Sequence, residues 1–270
     1  MSLKFDHYAV MGNPIAHSKS PMIHTAFAKQ TGQNIQYDAL LVNNFTEAVS
    51  EFKKNGGKGL NITVPFKQQA WELVDIRSKR AEKAGAVNTI YFDQQGHLIG
   101  ENTDGIGLVR DLTINHKAKI AQQRVLILGA GGAVRGVLEP ILAAAPAQCV
   151  IANRTVAKAE QLAQLFDHKI IASSYEGLKN HSFDLIINGT SASLQGALPP
   201  LADGLLAEGA WCYDMMYAKT ATLFMQWAQQ QGAIKVLDGL GMLVEQAAES
   251  FYLWRGVKPD TQPVIKQLQS

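Results

Sequence analysis

Gly129-Ala130-Gly131-Gly132-Ala133 follows the apolar run Val125-Leu126-Ile127-Leu128 and opens a helical stretch. Cys149-Val150-Ile151-Ala152 comes next and leads into Asn153-Arg154-Thr155. Strand, glycine turn, helix and second strand in that order are what a dinucleotide-binding βαβ unit requires. The glycines let the backbone turn tightly and approach a pyrophosphate, whose charge rests on the free N–H groups of the helix N-terminus. Residue type at the tip of the second strand then selects the cofactor. An Asp or Glu there would accept hydrogen bonds from the ribose hydroxyls of NAD. The neutral Asn153 and the cationic Arg154, 23 residues after Gly131, instead suit the 2′-phosphate of NADP(H). One position departs from the general fingerprint: its third small residue falls on Val134, which sets the helix slightly differently over the strand.

Hydride addition to a ketone leaves an alkoxide, so such chemistry needs a proton donor. Lys67 closes the segment Asn61-Ile62-Thr63-Val64-Pro65-Phe66-Lys67, where a strand ends and a helix begins. A cation near the positive end of a helix dipole is poorly placed for stability alone. Asp104 follows Glu101-Asn102-Thr103 at another helix start. It either caps that helix or joins Lys67 in holding a substrate hydroxyl and exchanging its proton. Ser18 and Ser20 flank Lys19 just before a helix N-terminus, where two hydroxyls seat a carboxylate; the plainer alternative is a helix cap at Ser20 and a loop at Ser18. Asn88 ends the run Ala84-Gly85-Ala86-Val87, and Gln246 lies beside Glu245 on a largely apolar helix. Each is either a ligand contact or a satisfied structural amide.

These residues must be held by alternating strands and helices. Tyr8–Met11, Tyr37–Val42, Gly59–Val64 and Val87–Phe92 read as strands, with helices starting at Ser20-Pro21 and over Phe45–Lys54, Gln68–Val74 and Ser78–Ala84. Thr103–Asn115 reads as a helix leading into the dinucleotide unit. Strands are expected at Phe183–Ile187, Ala210–Tyr213 and Ile234–Leu237, with helices over Met242–Trp254 and Pro263–Gln269. Alternation of this kind implies an α/β protein with mainly parallel sheets covered by helices. The expected design is two α/β domains around a cleft. Residues 1–103 plus 240–270 form a discontinuous substrate-binding and catalytic domain, and residues 104–239 form a Rossmann-type NADP-binding domain.

Composition narrows the partners. A net charge of +2 is too small to mark nucleic acid or an acidic membrane as a partner. Cys149 and Cys212 lie far apart, in or beside apolar runs, and suit a reducing compartment. Lys4, Asp6 and His7 interrupt any apolar stretch at the N-terminus, and no run of the length needed to span a bilayer follows. The expectation is a cytoplasmic protein with a small-molecule substrate, acting as a monomer or homodimer, with no resident metal.

Taken together, Ser18-Lys19-Ser20-Pro21, Asn61 to Lys67, Gly85 to Thr89, Asn102 to Gly105, Gly129 to Ala133, Asn153 to Thr155, Tyr213 to Tyr217 and Asp238 to Gln246 closely resemble the shikimate dehydrogenase family. The resemblance runs over nearly the whole chain, in order. It implies NADPH-dependent reduction of 3-dehydroshikimate to shikimate in the pathway to aromatic amino acids, with Lys67 and Asp104 as the catalytic pair. By similarity, Ser18 and Ser20 would hold the substrate carboxylate. Thr63, Asn88, Tyr217 and Gln246 would bind its hydroxyls or carboxylate, with Asn61 nearby. Gly129, Ala130, Gly131, Gly132 and Ala133 would cradle the pyrophosphate, while Asn153, Arg154, Thr155 and Lys158 would surround the 2′-phosphate. Met215, Gly239 and Met242 would lie against the nicotinamide half. Two positions are unlike the commonest family pattern: Thr25 after His24, and Gly189 in Asn188-Gly189-Thr190-Ser191. A relative that also accepts quinate, with NAD, is the nearest competing reading, and Asn153-Arg154 speaks against it. A non-catalytic NADPH sensor would leave Lys67 and Asp104 unexplained.

Overall fold

The computed structural model describes residues 5–190, 192 and 196–269. The chain divides into two compact units, one running up to Gly107 and resuming at Leu243, the other Leu108–Met242. Both boundaries fall inside continuous helices. The sequence suggests divisions at the helix starts, because the interior of a helix carries no local signal of a boundary.

Unit 1 contains β1 (Asp6–Gly12), α1 (Ser20–Thr31), β2 (Ile35–Leu41), α2 (Phe45–Lys54), β3 (Gly59–Ile62), α3 (Lys67–Leu73), β4 (Ile76–Arg77), α4 (Lys79–Ala84), β5 (Thr89–Phe92), β6 (Leu98–Glu101) and the start of α5 (Asp104–Arg110). Its six strands lie in the order β2-β1-β3-β5-β6-β4. The sheet is mixed: β3–β5 and β5–β6 are antiparallel, the other pairs parallel. The β5–β6 hairpin is absent from the sequence reading because β6 carries only Leu98 and Ile99 before Gly100-Glu101, too short an apolar run to register. Its consequence for the site is direct. Asn61 pairs with Thr89 and Thr89 with Glu101, so the end of β3, the start of β5 and the end of β6 share one row across the sheet.

Unit 2 continues from α5 through a wide helical turn at Asp111–Asn115 into β7 (Arg124–Leu128), α6 (Gly132–Ala143), β8 (Gln148–Ala152), α7 (Val156–Leu165), β9 (Ile171–Ser173), β10 (Phe183–Asn188), β11 (Leu206–Asp214), α8 (Leu223–Gln230) and β12 (Lys235–Leu237). The order β12-β11-β10-β7-β8-β9 is wholly parallel, doubly wound about the β7–β10 junction. Strands covered on both faces read as unbroken apolar runs, as Val125–Leu128 does. Cys149 and Cys212 are buried here, and burial pushes both thiols up to about 12.

Helices α9 (Leu240–Arg255) and α10 (Gln262–Gln269) carry the chain back to unit 1. Val244 and Phe251 of α9, with Val264 and Ile265 of α10, close a core over Ile23 and Phe27 of α1. Each such side chain, fully buried, contributes about 1.5–3 kcal/mol. His24, on the same helix, stacks on Tyr37 with ring centroids 4.2 Å apart. Burial pushes its imidazole down to about 3, opposed only weakly by nearby Asn61, and neither ring nitrogen has a hydrogen-bond partner. It is a neutral aromatic wedge in the core. Among the described residues no helix is long and apolar enough to cross a membrane.

Candidate active site

Lys67 and Asp104 meet in unit 1. The Lys67 Nζ lies 2.6 Å from Asp104 Oδ2, with the lysine side chain 32% exposed and the aspartate side chain 8%. Lys67 begins α3 and Asp104 begins α5, two helices that start off the row of strand ends formed by β3, β5 and β6. The start of α5 is capped by Asn102, whose Oδ1 accepts from the Asp104 main-chain N–H at 3.1 Å. That leaves the Asp104 carboxylate free of the capping duty the sequence allowed it. Its other oxygen, Oδ1, accepts from Asn88 Nδ2 at 2.7 Å. Asn88 also reaches Gln246 Oε1 at 3.4 Å, bringing the α9 residue into the same group.

The remaining unit 1 candidates sort by what their polar atoms already do. Helix α1 begins one residue earlier than the Ser20 cap implies: Lys19 occupies the cap position without a side-chain bond, Ser20 is the first helical residue, and Ser18 Oγ accepts from the Ser20 N–H at 3.3 Å. The capping hydroxyl is therefore Ser18. A proline at the second helical position suits this shifted start equally well. Ser20 faces the phenol of Tyr37. Thr63 stands half-buried on the strand-to-helix turn before Lys67, its N–H bonded to Met11 O at 3.0 Å. Asn61, expected near the substrate, is bonded on both sides within the protein. Its Oδ1 accepts from Tyr37 O–H at 2.7 Å, and its Nδ2 faces Ser250 Oγ at 3.0 Å and Asn88 O at 3.3 Å. Both ends of that amide are engaged by the protein. Tyr37, Thr89 and Ser250 were not expected from sequence; their common signal, a polar residue in an otherwise apolar stretch, is too ordinary to single them out.

Unit 2 carries the dinucleotide elements. Gly129 sits at the end of β7 with φ +104°, a conformation that favours glycine, and its N–H bonds Ala152 O at 2.8 Å. At Gly131 and Gly132 an added Cβ would meet nothing within 4 Å, and α6 begins at Gly132 with no side-chain cap. The first N–H groups of α6 thus open onto free space, as a phosphate-binding turn requires. Val134, the departure from the fingerprint, is compensated just past the neighbouring strand β10: a Cβ on Gly189 would lie 2.4 Å from Val134 Cγ2. The two unusual positions are one feature, a larger helix residue accommodated by a smaller loop residue. Asn153, Arg154, Thr155 and Lys158 lie between β8 and the first turn of α7, with Arg154 and Lys158 exposed and Asn153 Nδ2 donating to Thr155 O at 2.9 Å. The donor set fits a phosphate ester.

Elsewhere in unit 2, a Cβ on Gly239 would strike Met215 O at 2.2 Å, so this close approach demands glycine. Met215 and Met242 are both buried in the core of the unit. Tyr217 follows β11, 37% exposed, and partial burial raises its phenol above the ordinary tyrosine value. Ser191 lies outside the described residues.

A parallel sheet with a bare glycine turn at its switch point and cations after the second strand is the dinucleotide half of an NADP-type oxidoreductase; a lysine–aspartate pair on a second α/β unit is suited to proton transfer. Residues 10–90 match the shikimate dehydrogenase substrate-binding domain, residues 111–195 match shikimate/quinate 5-dehydrogenase, and residues 239–269 match the shikimate 5′-dehydrogenase C-terminal domain. The NADP⁺-dependent shikimate dehydrogenase of Alkalilimnicola ehrlichii is 59% identical, over 98% of both chains. Crystal structures agree: an Ael1 enzyme from Pseudomonas putida superposes with a TM-score of 0.95 at 50% identity, covering 98% of each chain. The Thermus thermophilus shikimate 5-dehydrogenase, solved with NADP(H) and shikimate, gives 0.86 at 31% identity, covering 97% of this chain and 98% of that one. The chain belongs to the shikimate dehydrogenase family.

Proposed function

We propose that this chain catalyses the reversible NADPH-dependent reduction of 3-dehydroshikimate to shikimate, with Lys67 and Asp104 as its acid–base pair. The observation that carries this reading is the 2.6 Å contact between those two side chains in unit 1. NADPH, when bound, supplies hydride to the ketone carbon of the substrate. Lys67 donates an ammonium proton to the oxygen on which negative charge develops, and in the oxidative direction it takes the proton back from the hydroxyl. Asp104 holds the ammonium in place. The partial exposure of Lys67 lets water restore its proton between turnovers.

Ser18 and Ser20 hold the substrate carboxylate, and Thr63, Asn88, Tyr217 and Gln246 bind its hydroxyls or carboxylate, with Asn61 nearby. A site made of such groups rejects analogues lacking a hydroxyl, since its own polar atoms would be stranded. Gly129 to Ala133 hold the pyrophosphate, Asn153, Arg154, Thr155 and Lys158 the 2′-phosphate, and Met215, Gly239 and Met242 lie along the nicotinamide half. The two free thiols suit a cytoplasmic setting, with the enzyme acting as a monomer or homodimer.

The test is a spectrophotometric assay following the reduced-nicotinamide absorbance with shikimate or quinate and with NADP⁺ or NAD⁺. Rapid turnover of shikimate with NADP⁺ supports the proposal; binding of NADP⁺ without turnover of shikimate sinks it. The cofactor preference has its own check. Arg154→Ala weakens NADP(H) by about 1.5–3 kcal/mol and leaves NAD(H) nearly unchanged, because only the former loses a charge-assisted bond. Parallel fluorescence titrations decide, and equal losses for the two cofactors would rule out a phosphate clamp.

A further inference from the structure

Behind Asp104 runs a row of buried polar groups whose donors and acceptors can be assigned one by one. Asn88 sets the direction. Its Oδ1 faces the Thr103 main-chain N–H at 2.9 Å, which can only donate, and its Nδ2 faces the Asp104 carboxylate at 2.7 Å, which accepts. The carboxamide is held in one of its two flip states. Thr89 Oγ1 lies 3.0 Å from Asn88 Oδ1 and gives its single hydrogen there. Either hydroxyl can donate across the 2.8 Å contact between Thr89 Oγ1 and Ser250 Oγ; with the Thr89 hydrogen on Asn88, Ser250 is the donor and Thr89 also accepts from Asn61 Nδ2 at 3.2 Å. A helical serine often returns its hydrogen to the carbonyl four residues back, here Gln246 O at 3.1 Å. With Thr89 donating to Asn88, that choice would leave the shorter contact without a proton, so the favoured arrangement places the Ser250 hydrogen on Thr89. Ser250 in turn accepts from Asn61 Nδ2 at 3.0 Å, and Asn61 Oδ1 accepts from the Tyr37 phenol at 2.7 Å.

In this arrangement every donor in the row points toward Asp104. Thr89 and Ser250 are fully buried and Tyr37 nearly so, and burial holds the Tyr37 phenol well above the usual tyrosine range, which keeps it a donor. Hydrogen bonds in series polarise one another, more so away from water. We propose that Tyr37, Asn61, Ser250 and Thr89 form a directional hydrogen-bond relay that orients Asn88 and strengthens its bond to Asp104, so that all four are positioning residues for proton transfer. The proposal rests on the Lys67–Asp104 reading and gives Asn61 a supporting role. The head of the relay, Tyr37, is also the group that Ser20 faces.

The experiment compares Thr89→Val, which removes the hydroxyl at nearly constant volume, with Thr89→Ser, which keeps it, and with Tyr37→Phe at the far end of the row. Thr89→Val and Tyr37→Phe are expected to lower kcat about 5- to 20-fold, with KM for shikimate and Kd for NADP⁺ within about twofold of the parent. Thr89→Ser retains most of the parent kcat. The double variant Tyr37→Phe/Thr89→Val falls no further than the worse single, because one break already interrupts the series. A kcat near the parent value in both Thr89→Val and Tyr37→Phe, a Thr89→Ser as impaired as Thr89→Val, or losses that multiply in the double variant would overturn the relay. Tyr37→Phe carries the same test should Thr89→Val misfold. Lys67→Ala, assayed alongside, separates the two layers: if it loses kcat while the relay variants do not, the relay alone fails; if it keeps kcat, the acid–base reading fails and the relay with it.

Discussion

Lys67→Ala is expected to lower kcat by about 10²- to 10⁴-fold while KM for shikimate changes little, the pattern of losing a group whose contribution is made in the transition state. Alanine removes both the proton donor and the cation that faces Asp104 at 2.6 Å. The fold is expected to survive the change, since the lysine is one-third exposed and α3 is anchored in the core by Ala70, Trp71 and Leu73. Two controls sharpen the measurement. The variant is expected to lose some thermal stability, because the buried Asp104 carboxylate loses its cation, so kinetics are read well below its Tm; the Kd for NADP⁺ is expected to be unaltered, because the dinucleotide elements all belong to unit 2. Steady-state kinetics in the shikimate-oxidising direction supply the readout. A kcat within a few-fold of the parent would remove Lys67 from the chemistry.

The largest effect on stability is expected at Arg80. This guanidinium, on α4, bonds Glu101 with Nη2 at 2.8 Å and Nε at 3.1 Å, and lies 3.4 Å from Glu249 on α9. Both glutamates are about 6% exposed. Burial alone would favour loss of the arginine proton, but the two carboxylates outweigh it and raise the arginine further. Arg80→Met keeps the apolar stem and deletes the charge, leaving two carboxylates without their shared cation. Removing one partner of a buried ion pair costs about 3–5 kcal/mol, and the lower end applies here because Arg80 is itself a quarter exposed. Glu101 Oε1 also accepts from the Asn102 N–H at 2.8 Å, so the same loss loosens the segment leading to Asp104. Urea denaturation of parent and variant tests this. An unchanged midpoint would mean that the cluster contributes nothing net. Restoring part of the midpoint with Arg80→Met/Glu249→Gln would identify carboxylate repulsion as the cause.

What was legible in the sequence was what depends on residue type at an element boundary. Gly129 to Ala133 and Arg154 announce themselves because a turn after one strand and a cation after the next each carry a local signature. Lys67 and Asp104 could be placed at helix starts, but their meeting could not be read from either start alone. It depends on the antiparallel β5–β6 hairpin, whose second strand is too short and polar to register. Tyr37, Thr89 and Ser250 were invisible for a stronger reason. Tyr37 reaches Asn61 across 24 residues, Thr89 meets Ser250 across 161, and Asn61 meets Ser250 across 189. No window of sequence contains such a pair. The shifted start of α1 was missed because a serine before a proline reads the same whether it caps the helix or begins it. Val134 and Gly189 looked like two separate departures until their contact made them complementary.

The return of α9 and α10 to unit 1 has a consequence for how the protein is made. Leu108–Met242 is contiguous and can finish folding as it leaves the ribosome, whereas Ile23 and Phe27 wait for Val244, Phe251, Val264 and Ile265 to be synthesised. Through that interval the nascent polypeptide exposes an oily surface on its earliest segment, which is the kind of surface that chaperones hold.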